Sequence, residues 1–170
     1  YTWIFSSGAG SFTVPTGVTS LSIEAIGAGG STGSQNARSG AGGGAYAKSV
    51  VTVTAGSTVY YQVGTPNSTQ ASIKNSWCNI SGNSAPLTST NGVLAISALN
   101  SYGTSYGALG QPGGSAASSI GQVTYSGGTG GDLNRTPANG GGGGASDTGA
   151  PGYVAAGAGG SGAADRRPPE

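Results

Sequence analysis

The chain has no histidine, no methionine and one cysteine among 170 residues, and each shortage removes a class of function. Without histidine there is no imidazole to take a serine proton, so the common Ser-His-Asp hydrolases are disfavoured, and the most frequent metal ligand is missing. The single Cys78 cannot form an intrachain disulfide; beside Trp77 it reads as a small packed thiol. Charge is equally scarce. Lys and Arg number 6, Asp and Glu number 5, charged residues are 6% of the chain and the net charge is +1. Nucleic acids and anionic membranes are held by clustered Lys and Arg, so neither partner is expected. Simple disorder is disfavoured too, because poorly hydrophobic disordered chains are normally kept solvated by charge. No run of about 18 apolar residues occurs, so no membrane-spanning helix is expected. Hydrophobic residues make up only 35% of the chain, too few for one ordinary core throughout. No signal peptide is visible, and without a methionine at position 1 the sequence reads as a processed chain or a piece of a longer one.

What the chain does have is glycine, 36 residues of it. Residues 1–60 hold 12, residues 61–102 hold 3 and residues 103–162 hold 21, which divides the chain into regions of different physics. The first region reads as antiparallel β. In TSLSIEA (19–25), Leu21, Ile23 and Ala25 alternate with Ser20, Ser22 and Glu24, the period of a strand with one buried face. Before it, SFTVPTG is a turn with Pro15 expected at the second position and Gly17 closing it. AKSVVTV (47–53), the turn TAGS (54–57) and TVYYQVG (58–64) read as a hairpin. TWIF (2–5) and GVLAIS (92–97) supply two further short strands, and no amphipathic helix of useful length occurs. The fold class is therefore all-β, a small antiparallel sandwich or jelly-roll-like domain over residues 1–102.

Residues 103–162 contain little to bury. A flexible linker is one reading, since glycine loses the most backbone entropy on folding. The other is a bundle of polyglycine II segments, left-handed with three residues per turn and no internal hydrogen bonds, so that N–H and C=O groups are free to pair with neighbours. The glycine runs are broken at intervals by TYS, DLNRTPAN and SDTGAPGYVAA, a rhythm that a linker does not need and that turns between packed segments do. The bundle is preferred, packed on the β-domain and with that domain's glycine-rich loops folding in the same way, and with residues 163–170 as a charged tail.

Apparent chemical motifs fail on inspection. GAGGGAYAKS (40–49) mimics a phosphate loop, but the glycine required before Lys48 is Ala47, and a β-like SVVTV follows where a helix should open. GGSTG (29–33) fits a nucleophile elbow around Ser31 without a histidine to serve it. GAGGSG (157–162) fits a dinucleotide pattern with only eight residues after it. Glu24, Asp132, Asp147, Asp165 and Glu170 are too scattered for a metal motif, and no catalytic residue, metal site or cofactor is assigned. Three Asn-x-Ser/Thr sequons begin at Asn67, Asn79 and Asn134, about the number chance supplies. What remains are aromatic and polar residues in or beside glycine-rich turns: Trp77, Tyr102, Tyr106, Tyr125, Asp132, Asn134, Arg135 and Tyr153. Such rings, apolar on the face and polar at the tip, suit sugar or protein surfaces, or simply cover a turn. Tyr102, Tyr106, Asn134 and Arg135 are the candidate receptor-contacting residues.

FTVPTGVTSLSIEAIGAGG (12–30), followed by GAGGGAYAKSVVTVTAGSTVYYQVG (40–64), resembles the glycine-rich domain of tailed-phage tail fibre and adhesin proteins. The likeness lies in the order of features: a strand, a Val-Pro-x-Gly-Val turn, a strand, a glycine cluster, a Gly-Gly-Tyr-Ala-Lys-like strand entry and a Thr-x-Gly hairpin. It covers about the first 64 residues, and ASIKNSWCNISGNSAPLTS departs from it. The resemblance implies a virion surface protein, in some members a receptor-binding adhesin, with glycine segments stacked as polyglycine II helices and variable loops at their ends meeting the host. The expected function is thus non-enzymatic, with a host-surface glycan or outer-membrane protein and other virion proteins as partners, and with homo-oligomers compatible. The alternative is a purely structural virion role as a capsid decoration, fibre or filament subunit.

Overall fold

A computed structural model describes residues 1–31, 39–65, 74–100 and 109–131. Seven strands form within them: β1 (Ala9–Thr13), β2 (Ser20–Ile26), β3 (Tyr46–Thr52), β4 (Thr58–Gln62), β5 (Ser76–Asn79), β6 (Gly92–Ala95) and β7 (Val123–Tyr125). They make two sheets, β1-β4-β5-β6 and β2-β3-β7, with every pairing antiparallel. No helix occurs among the described residues, so the all-β reading holds, in the form of a small sandwich.

The alternation in TSLSIEA has its expected effect: Leu21, Ile23 and Ala25 of β2 turn inward while Ser20, Ser22 and Glu24 stay exposed. One core cluster consists of Val14, Val51, Val53 and Val59, with Phe12, Leu21 and Ile23 packed against it. A second, of Ala47, Val93 and Ala95, lies nearer the glycine-rich end of the sheets. Burial of these side chains is the main force holding the two layers together.

Three local expectations are corrected. The 47–53 and 58–64 strands are not a hairpin, since β3 pairs with β2 and β7 while β4 pairs with β1 and β5. The TAGS turn does form, with Ser57 N–H donating to Thr54 O at 3.0 Å and Gly56 at φ +82°. It is a corner between sheets, tied to Val14 by Val14 N–H to Ser57 O and Gly56 N–H to Val14 O. Val53 and Val59 therefore face each other across the core instead of sharing one sheet face. The proline turn is shifted by one residue: Val18 N–H donates to Pro15 O at 3.2 Å, which puts Pro15 first and Gly17, at φ +84°, third. TWIF is not in a strand; its Trp3 and Phe5 rings stack on Phe12 and Tyr61 instead.

Candidate functional site at the far end of a glycine bundle

Beyond the sheets the chain runs in five stretches, residues 27–30, 40–45, 96–99, 111–114 and 127–131, joined by backbone hydrogen bonds and belonging to no strand. Residues 40–45 are central. Gly40 and Gly43 donate to the Gly131 and Gly128 carbonyls at 2.6 and 2.9 Å, and Gly42 and Ala45 donate to Leu99 and Ile96 at 3.3 and 2.9 Å. On the acceptor side, the Gly42 and Ala45 carbonyls take N–H groups of Gly30 and Gly27, and those of Gly40 and Gly43 take Gln111 and Gly114. The partner repeats every third residue, the period of polyglycine II rather than the period two of a strand. The surrounding segments also bond to one another: Ala98 N–H to Ala28 O, Leu99 N–H to Pro112 O, and Gly127 N–H to Gly114 O.

Glycine is needed here for close approach. A Cβ built on Gly44 would meet the Gly27 carbonyl, one on Gly30 the Leu99 carbonyl and one on Gly42 the Pro112 carbonyl, all far inside the 3.0 Å that real Cβ atoms respect. Positive φ values occur elsewhere, at Gly8, Gly17, Gly56 and Gly92, so a turn conformation is not what these bundle positions require. The bundle draws three of its stretches from residues 1–102 and two from residues 103–162. Lys48, which follows the phosphate-loop lookalike, lies on β3 with its ammonium 2.8 Å from Glu24 across the strand pair. That hydrogen bond holds the Glu24 carboxyl below its usual range, against a smaller opposing effect of burial. Residues 40–45 are buried backbone leading into a strand, with no helix N-terminus to receive a phosphate.

The hydrogen bonds also fix which end is which. Residue 30 is level with 42, 131 with 40, 99 with 42, and 111 with both 40 and 130. The chain leaves the bundle after Ser31, Asn100 and Gly131 and re-enters it at Ser39 and Leu109, and all of these lie at the end away from the sheets. Asn100, 1% exposed, ties two of these points together by accepting the Ser31 N–H at 2.8 Å. Tyr102, Tyr106, Asn134 and Arg135 lie outside the described residues. The stretches that carry them are attached at Asn100, Leu109 and Gly131, on this one end.

Other residues singled out from the sequence have structural places. Trp77 is buried on β5, and Tyr125 on β7 stacks against Tyr46 with ring centroids 6.0 Å apart. Asn79 is a sequon residue with no room for a sugar: it is buried, its amide donates to Ser84 O and its Oδ1 accepts the Ser81 N–H. Among the described residues no three His, Cys, Asp or Glu side chains gather as a metal site, and no helix is long and apolar enough to cross a membrane.

Sequence reasoning missed a groove of about 920 Å³ between residues 1–5 and β2, floored by Phe12, Tyr61 and Cys78. The aromatic pattern of YTWIF and SFTV was its only visible signal. Comparison with protein-family models and with curated protein sequences gives no match to this chain.

Proposed function

We propose that this chain is a non-enzymatic surface protein of a tailed-phage particle, binding a host-surface glycan or outer-membrane protein through the connections at the far end of the bundle. The observation that carries the reading is the common end at which Ser31, Ser39, Asn100, Leu109 and Gly131 gather. A hydrogen-bonded backbone frame can fix the anchor points of several connections while leaving their sequences free to vary, and recognition residues commonly sit on such connections. The resemblance of residues 12–64 to phage glycine-rich domains supports the setting, and the absence of histidine supports a non-enzymatic role. Tyr102 and Tyr106 supply amphipathic rings, and Asn134 and Arg135 supply donors for sugar hydroxyls or carboxylates.

The test is binding of the fluorescently labelled protein to a panel of bacterial strains and to their purified lipopolysaccharide and outer-membrane vesicles. Saturable binding to some strains, lost when DLNRTPAN (132–139) is replaced by a Gly/Ser stretch of equal length, is the expected result. Absence of binding to every strain, with many copies of the chain per particle, would favour the second reading, a capsid, fibre or filament subunit whose bundle supplies rigidity.

A further inference from the structure

We propose that residues 1–5 are a strap that closes the groove by pairing with the free edge of β2, making the smaller sheet four-stranded. The segment already lies where such a strand belongs. Trp3 stacks on Phe12 with centroids 4.9 Å apart and Phe5 on Tyr61 at 3.8 Å, so both rings sit on the inner face of the larger sheet. Ile4 between them is 87% exposed, which is the alternation of extended chain. Yet among the described residues the backbone of residues 2–5 makes no hydrogen bond, and β2 pairs with β3 alone. Two unpaired backbone edges therefore face each other across a groove with Leu21, Ile23 and Ala25 on one wall. Unpaired edges of this kind are the places where strands add.

Direction explains why the strap is reversible. Trp3 lies over Phe12 and Phe5 over Tyr61, and Tyr61 is opposite Gly10, so the strap runs against β1. β1 enters the Pro15–Val18 turn and β2 leaves it, so strap and β2 run parallel. A parallel ladder is slightly weaker per residue than an antiparallel one, which leaves opening within thermal reach. The ring stacks hold the strap to the floor in either state. Cys78 and the inward side chains of β2 are half-buried with the ladder unmade, and closure covers them further.

The test uses the whole chain and two readouts: residue-resolved amide exchange over residues 2–5 and the alkylation rate of Cys78 by iodoacetamide. Wild type is expected to show roughly tenfold or greater protection of residues 2–5 relative to an unstructured peptide. Ile4→Pro removes an N–H and breaks the ladder at an exposed side chain, so it should abolish that protection and raise Cys78 alkylation about fivefold, with the melting temperature nearly unchanged. Should Ile4→Pro lose the fold, Phe5→Ala, which removes a ring stack, gives the same two readings. Exchange of residues 2–5 at the unstructured rate in wild type, or Cys78 alkylation indifferent to the variants, would overturn the strap.

Discussion

Single residues carry two separable demands in this molecule, space and conformation. Gly44 meets the demand for space: a methyl group there would enter the Gly27 carbonyl, and backbone cannot step aside as a side chain can. Gly44→Ala is expected to cost about 3 kcal/mol or more, readable in denaturant unfolding. Gly29 is the control, because a Cβ there meets nothing nearer than the Gly42 carbonyl at 3.8 Å; Gly29→Ala should fall within about 0.5 kcal/mol of wild type. Val59, fully buried between the sheets, tests the ordinary core, and Val59→Ala should cost about 2 kcal/mol. Cys78 gives a pH signature. Burial pushes its thiol from an ordinary value near 9 up to about 12, so the folded chain keeps its proton where the unfolded chain has lost it. Its contribution to stability is whole below pH 9 and lost as pH rises from 9 towards 12. Comparing alkaline unfolding of wild type and Cys78→Ala isolates that loss, which the variant should lack.

At the scale of elements, sequence legibility depended on whether a signal was local. Alternation in 19–25 marked a real strand, because burial of one face imposes period two, and the short apolar run GVLAIS (92–97) marked another, β6. The same alternation says nothing about which strand lies beside which. Val51, Val53 and Val59 satisfy a hairpin and a two-layer corner equally well, and the choice is made by contacts of the TAGS turn with Val14, distant in sequence. β5 was hidden because SWCN carries no clear alternation and gains its place from β4 and β6 on either side. TWIF misled for the opposite reason: its side chains alternate as in a strand while its backbone has no partner among the described residues. The corner makes its own prediction. Gly56 sits at φ +82° in open space, so Gly56→Ala should cost about 1 kcal/mol through backbone strain alone, far less than Gly44→Ala.

At the scale of the whole molecule, the glycine runs are the continuation of the sandwich by other means. The chain passes from β2 into residues 27–30, from residues 40–45 into β3 and from β6 into residues 96–99, exchanging a period of two for a period of three without losing its backbone partners. Glycine-rich loops in the first region and glycine runs in the second pointed to such packing, but TYS, expected as a turn, runs through β7 instead, and DLNRTPAN and SDTGAPGYVAA lie outside the described residues. Which stretches lie side by side follows only from the sheet topology, which brings residues 27–30 and 40–45 beside 111–114 and 127–131. The candidate residues could be named from composition, whereas their shared end of attachment follows from the threading of the bundle. The most direct test is residue-resolved amide hydrogen exchange at Gly27, Gly30, Gly40, Gly42, Gly43, Gly114, Gly127 and Gly130, each of which donates to a carbonyl of another segment. Protection comparable with that of the β2–β3 ladder is the predicted result. Exchange of these amides at the rate of an unstructured glycine peptide, with the sheets still protected, would contradict the account.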